Sequence, residues 1–399
     1  MALTNTSQSY GAITKTLHWL TAFGILGMIP LGVIANDLPY DTADQLADKA
    51  WLFSLHKTVG VALFFIALAR ILWALIQTKP EPLHPERRAE TFAAETVHWL
   101  LYGSLVAVPL SGWVHHAATA GFAPIWWPLG QSLPLVPESE TLAGIASGLH
   151  WVFAWVLVAS LVLHIAGAVK HHVIDRDATL RRMLPGRTRA GGVAGKRHGL
   201  TAPAAALAAW ALALGLGGFV GAYGHGSDAA QVADLQEVES DWKVTEGTLA
   251  LDVQQFGQQV QGSFGDWTAQ IAYDDSDAPG PKGDVRVEVA IGSLTLGSVT
   301  AQAMGPDFFD ATQFPTAVFT ADITRGDAGL VANGTLDLKG RQVPITLPFA
   351  LTIDGNVAQM TGSATLDRRD FGIGDSMTDP AQLGHAVVID VSLTAQRAE

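Results

Sequence analysis

The sequence predicts two structural classes in one chain, a bundle of five membrane-spanning helices followed by an all-β antiparallel domain. Three observations predict this. The mean hydropathy is +0.25, with 49% hydrophobic and 15% charged residues, which is too apolar for an ordinary soluble protein. Long apolar runs fall at about 17–35, 52–77, 95–115, 146–171 and 201–222, each near or above the ~20 residues that a bilayer requires. After Gly224 the runs give way to short segments in which apolar and polar residues alternate, the period of half-buried strands.

Composition narrows the chemistry. The 399 residues include no cysteine, which excludes disulfides, thiolate metal sites, iron–sulfur clusters, thioether-linked haem and a cysteine nucleophile. A bound metal would need histidine or carboxylate ligands. The net charge of −13 is divided unevenly: residues 1–223 carry 15 Lys and Arg against 12 Asp and Glu, and residues 224–399 carry 9 against 25. So acidic a second half argues against nucleic acid as a partner.

The first run has no basic segment before it and no small-residue cleavage site after it, since residues 36–40 read NDLPY. It is expected to stay as an anchor. The stretch after it carries Asp37, Asp41, Asp44 and Asp48 against Lys49, and residues 117–145 carry no Lys or Arg. Lys79, Arg87 and Arg88 follow the second run, while Lys170, Arg176, Arg181, Arg182, Arg187, Arg189, Lys196 and Arg197 follow the fourth. Basic loops stay in the cytoplasm. The expectation is therefore a cytoplasmic N-terminus, with everything after about residue 223 in the periplasm.

Four histidines lie within apolar runs, His18, His56, His150 and His164, and ionisable groups at membrane depth mark function by default. Topology sets their depths: His18 is near the cytoplasmic side, and His56 and His150 are near the periplasmic side. His164 follows His150 by 14 residues, roughly 21 Å and close to four turns, so it shares a face with His150 at the other depth. Two level pairs result, His56 with His150 and His18 with His164. Two bis-histidine b-type haems need such an arrangement. Buried histidines joining helices are the plainer reading for any one of them, and the matched depths of all four weigh against it. Zinc would need three or four ligands together.

Arg70 lies 14 residues after His56, on the same face and at the inner depth, which makes it a candidate partner for a haem propionate. Lys57 is a candidate for attracting an anionic reactant at the outer pair. His98 is a candidate propionate or quinone contact, with interhelical packing as the alternative. His115, His116, His171 and His172 are expected at the interfaces.

These residues carry a resemblance. LHWL at 17–20, LHKTVG at 55–60, HWLLY and PLSGW within 98–113, LHIAGAVKHHVIDRD at 163–177 and LRRMLP at 180–185 resemble the bacterial cytochrome b561 family over residues 10–190. The resemblance implies a four-helix dihaem b core exchanging electrons with quinone, some members oxidising superoxide and passing the electron to ubiquinone. It places the family's ligands on His18, His56, His150 and His164.

In the second half, residues 285–291, 347–353 and 387–393 alternate as strands, and Asn333-Gly334 and Asp354-Gly355 read as turns. About 170 such residues imply an antiparallel barrel or sandwich. DFFDATQFPTAVFTADI (307–323), GTLDLKGRQVPITLPF (334–349), LDRRDFGIG (366–374) and VQGSFGDW resemble the YceI-like family over about 240–396, which implies a lipocalin-like barrel holding a polyisoprenoid, ubiquinone among the candidates. The stretch AQAMGPDFF (301–309) departs from the charged Arg-Asp approach common in that family. Phe308, Phe309, Phe314, Phe319 and Phe371 are expected mainly as core, and Arg368, Arg369, Asp370, Gly372 and Gly374 are candidates for a loop at the mouth.

The fold expected is thus a membrane all-α four-helix dihaem bundle plus a fifth transmembrane helix, then an all-β antiparallel lipocalin-like barrel. Its boundaries are expected at 1–190, 191–223 (cytoplasmic linker and fifth helix), 224–239 (periplasmic linker) and 240–399. The function expected is electron transfer in the bacterial inner membrane between a periplasmic one-electron donor, such as superoxide, and the quinone pool. Two haem b and ubiquinone or another polyisoprenoid are the expected cofactors, with quinone, the donor and membrane lipids as partners and no nucleic acid. The alternatives are a membrane-anchored isoprenoid carrier or sensor and a cytochrome subunit serving a separate dehydrogenase.

Overall fold

A computed structural model describes all residues except 1, 41, 120, 121, 127, 129, 187, 189, 191–198, 224–231, 236–238, 277, 328 and 399. The basic residues Arg187, Arg189, Lys196 and Arg197, and most of the expected periplasmic linker, fall outside the described residues. The chain forms two compact units, Met1–Leu38 with Trp51–Ala118 and Ile125–His225, and Pro39–Ala50 with Thr119–Pro124 and Gly226–Glu399.

The first unit is helical. Its long helices are α1 (Ala12–Asp37), α2 (Ala43–Ile76), α3 (Arg88–Ala117), α4 (Glu140–Val173) and α6 (Thr201–Phe219), with a short α5 (Thr179–Met183) after α4. All five long helices are long and apolar enough to cross a membrane. Their outward faces are apolar and open, with Leu72 63%, Leu75 77% and Val162 60% exposed. A bundle that turns leucine and valine outward is built for lipid. Inside it, α3 packs closely along α4, and α6 packs against both. Phe153 meets Trp210 edge-on at 4.9 Å, and Gly103 admits the Trp210 indole, which a Cβ there would approach to 3.2 Å. Pro30 and Pro109 interrupt the hydrogen-bond ladders of α1 and α3.

Beyond α4 the chain folds back over the N-terminal end of α1. Lys15, 5% exposed, donates to the carbonyls of Leu184 and Gly186, and Trp19 Nε1 donates to Met183 O at 2.8 Å. Arg182, equally buried, donates to the carbonyls of Glu81, Gln8 and Ala190.

The second unit is a ten-stranded antiparallel sheet. Its strands are β1 (Trp242–Gln255), β2 (Gln258–Phe264), β3 (Trp267–Tyr273), β4 (Gly280–Ala290), β5 (Leu294–Thr295), β6 (Thr316–Gly326), β7 (Gly329–Leu338), β8 (Arg341–Asp354), β9 (Val357–Asp367) and β10 (Leu383–Arg397), with a one-turn helix α7 (Thr300–Ala303). The order is β3-β4-β6-β7-β8-β9-β10-β1-β2-β5. The C-terminal half of β1 pairs with β2, and its start turns to β3, where Asp241 N donates to Ile271 O at 3.1 Å and Ile271 N to Ser240 Oγ at 2.8 Å. The sheet thereby curls onto itself, and its long edges are covered.

Two expectations are corrected here. Asn333-Gly334 lies inside β7, because β6 runs so close that a Cβ on Gly334 would lie within van der Waals overlap of Thr320 O and Ala321. The glycine serves a close strand contact, and Asn333 Oδ1 accepts from Thr346 Oγ1 at 3.0 Å. Ile291 leaves the strand and opens a 3-10 turn, where it is buried with Phe371 and Leu338. Asp354-Gly355 does turn the chain, between β8 and β9.

Candidate functional site

Helix α4 carries two histidines of the first unit, and α1 and α2 each bring one to it. The ring centroids of His18 and His164 lie 6.1 Å apart, and those of His56 and His150 lie 6.4 Å apart. Two metal–nitrogen bonds of about 2.1 Å and two half-rings of about 1.1 Å set trans imidazole centroids about 6.4 Å apart. Both pairs fit one metal between their rings.

The surroundings of the His56–His150 rings fit the same use. His150 Nδ1 donates to Val108 O at 2.8 Å, which fixes the tautomer and leaves the Nε2 lone pair for a metal. Among the described residues, His56 Nδ1 is buried with no hydrogen bond of good geometry, although the Met28 carbonyl faces it. Glycines cradle both rings of this pair: a Cβ on Gly32 would lie 2.8 Å from His56 Cε1, and one on Gly112 would lie 3.0 Å from His150 Nδ1.

At the other pair, Arg70 Nη2 donates to His18 Nδ1 at 3.1 Å, and its guanidinium lies 5.6 Å over the Tyr102 ring. The His98 ring stands 5.1 Å from His164, edge to face. The structure thus brings Arg70, His98, His18 and His164 together. Lys57 lies elsewhere, beside the His56–His150 layer, with Nζ 3.2 Å from His116 Nδ1 and near the Phe53 ring. His116, near the end of α3, is 3% exposed, because the turn of α3 that carries it faces α2. His115 Nδ1 donates to Ala143 O at 2.8 Å.

A polar cluster that the sequence did not single out follows two turns beyond His164 on α4. His171 Nδ1 lies 2.7 Å from Asp177 Oδ2, His84 stacks on His171 at 6.5 Å, and its Nε2 is 3.2 Å from the same carboxylate. Lys170 bridges Glu90 at 2.8 Å and Asp175 at 2.9 Å, and Arg87 adds a bond to Asp175 at 3.0 Å. Lys170 and Arg87 hold the Asp175 carboxyl down at about 2. Ligand atoms of Glu90, His171 and Asp175 lie within 4.8 Å of one another, but the Lys170 ammonium already neutralises two of the three. The group reads as an ion-pair network.

The barrel encloses a cavity of about 300 Å³ with an almost wholly apolar wall, at the lower end of the ~300–1,000 Å³ usual for small-molecule sites. Phe308, Phe309, Phe319 and Phe371 lie on that wall, so these phenylalanines serve core and cavity at once. Arg368 is a clamp: 3% exposed, it donates to the carbonyls of Gly384, Ile373, Gly374, Met377 and Leu383. Gly372, at φ +66°, closes the turn after it, where a Cβ would meet the Arg341 guanidinium at 2.6 Å. Arg369 lies outside and pairs with Asp367, whose carboxyl it holds down at about 2.

Histidines paired inside a bundle of apolar helices are an arrangement that a membrane b-type cytochrome requires. Residues 9–186 match the family model described as prokaryotic cytochrome b561, and residues 241–395 match the YceI-like domain. The chain belongs to the prokaryotic cytochrome b561 family and carries a YceI-like domain, which makes it a membrane electron carrier with an appended barrel. It is 36% identical over 188 residues to cytochrome b561 homolog 2 of Escherichia coli (strain K12), covering 46% of this chain and 95% of that protein. It is 27% identical over 181 residues to a probable superoxide oxidase CybB of Yersinia pestis, covering 45% and 97%. A probable Ni/Fe-hydrogenase B-type cytochrome subunit of Bradyrhizobium diazoefficiens is 25% identical over 214 residues, covering 44% and 83%. Among solved structures, Burkholderia cenocepacia BcnA is 24% identical, with 39% of this chain and 100% of that chain covered and a TM-score of 0.36. The Campylobacter jejuni YCEI protein is 20% identical, with 43% and 96% covered and a TM-score of 0.31.

Proposed function

We propose that the chain is a dihaem b-type cytochrome of the bacterial inner membrane that transfers electrons between a periplasmic one-electron donor and the quinone pool, while its barrel binds quinone or another polyisoprenoid. The observation that carries this reading is the spacing of the two ring pairs, 6.1 and 6.4 Å, against the about 6.4 Å of trans imidazoles on one metal. On it, His18 with His164 and His56 with His150 would hold two haems. Haem, when bound, supplies reversible one-electron chemistry.

The protein's own groups do the rest. His150 keeps its tautomer through Val108 O. Arg70 places N–H donors at the His18–His164 layer, where propionates need them. Lys57, backed by His116, draws anions to the other layer. Superoxide is the donor favoured, an anion in keeping with Lys57 and with a relative named as a probable superoxide oxidase. Basic residues after α2 and α4 support a cytoplasmic N-terminus and a periplasmic barrel, with domains at 1–190, 191–223, 224–239 and 240–399. A second reading, an electron relay for a separate enzyme, draws support from the hydrogenase cytochrome relative.

The test is the reduced-minus-oxidised spectrum of the purified protein with haem counted per chain. Two b-type haems, falling to about one in His164→Ala, are expected. Well-folded protein without haem would refute the proposal.

A further inference from the structure

On a cavity wall as apolar as that of the barrel, each polar side chain calls for a partner. Of the amide and charged side chains on it, Arg368 has all five N–H groups engaged by the five carbonyls above. Gln255, 4% exposed, accepts a backbone N–H at its Oε1. Gln302 differs: among the described residues its Nε2 is buried with no hydrogen-bond partner. It lies on the cavity wall with Val299 and Ala303, which pack against Leu251, Val253 and Val260 at one end of the barrel. Its backbone is fixed, with Leu296 N donating to Thr300 Oγ1 at 2.7 Å and Gly305 N to Gln302 O at 3.0 Å. A held main chain thus presents an unpaired donor on an apolar wall.

We infer that Gln302 anchors the head group of the barrel's ligand by donating to a carbonyl oxygen, so that the barrel selects an isoprenoid quinone over an isoprenoid without carbonyls. A carbonyl is an acceptor that carries no charge, and so it satisfies the amide without bringing an unpaired ion onto the wall. A phosphate head group would bring that ion, with no N–H of Arg368 left to meet it. The inference rests on the proposal that the barrel binds an isoprenoid, and it adds which head group and which residue.

The test uses the full chain, purified in detergent and stripped of lipid, with two probes: ubiquinone with two isoprene units, and the same side chain on a plain benzene ring. Binding is measured by equilibrium dialysis. Ala364→Trp, which fills the cavity from a wall position, serves as the blank for binding elsewhere, and a near-wild-type melting curve checks its fold. The cavity-dependent affinity for the quinone is expected to fall about tenfold in Gln302→Leu, or about 1.4 kcal/mol, with the benzene probe bound as well or better. The infrared stretch of a ¹³C-labelled quinone carbonyl should lie lower in the wild type than in Gln302→Leu. Equal losses for both probes, or no loss for either, would overturn the role of Gln302 while leaving the barrel a lipid binder. If neither probe's binding responds to Ala364→Trp, the isoprenoid proposal falls, and the inference with it.

Discussion

Replacing Gly32 with alanine tests the histidine geometry without touching a ligand. The added Cβ would lie 2.8 Å from His56 Cε1, about 0.7 Å inside the ~3.5 Å that is the lower end of the optimal separation of carbon atoms. Metal–ligand distances tolerate about 0.2 Å. The His56 ring must therefore swing by several times that tolerance, or α1 must move away from α2. Gly32 faces only the His56–His150 pair, so one haem should be lost or turned high-spin while the other stays as in the wild type. Haem counts and low-temperature electron paramagnetic resonance, which separates the low-spin signals of two sites, would read this out. Loss of both sites, or an unchanged protein, would refute the assignment of His56 to a metal held on that side of its ring.

Other expectations follow from the same geometry. Lys57→Glu should slow reduction by superoxide at least several-fold at low salt, the difference shrinking as salt rises; a stopped-flow rate that does not change counts against an anion-attracting role. Arg368→Met leaves five buried carbonyls without their donor and should destabilise the barrel by about 3–5 kcal/mol, read as a fall in the melting temperature of its β-sheet signal. The Asp367 carboxyl is held below its usual range by Arg369, so the folded form favours the deprotonated group. Its stabilisation is complete above about pH 4 and is lost as the pH falls towards about 2. Asp367→Asn should lower the melting temperature in the neutral range and converge on the wild type as the pH falls towards about 2, which flattens this acid limb.

The sequence revealed what periodicity governs. Fourteen residues separate His150 from His164 and also His56 from Arg70, and a helix turns that spacing into one face at two depths. The pairing of the rings followed from this together with the direction of each helix. In the barrel, alternation from Leu347 to Ile353 located the second half of β8. What escaped notice depends on contacts distant in sequence. Asn333-Gly334 has the composition of a turn, and only the approach of β6 shows why glycine stands there. The burial of His116 beside Lys57 is set by the opposite helix, which its position along α3 does not reveal. The Arg368 clamp and the unpaired Gln302 amide could not be told from ordinary surface polar residues, because burial is set by strands far away in the chain.

Helix α4 supplies one ring to each histidine pair, and this makes it a ruler that admits few errors. A single residue inserted between His150 and His164 would rotate one ring about 100° relative to the other and shift it about 1.5 Å along the axis. Either pair could then form, but not both. An insertion in this helix would therefore be tolerated only in the segments outside the two histidines, while a change in the barrel, reached through a separate stretch of chain, would leave the register undisturbed.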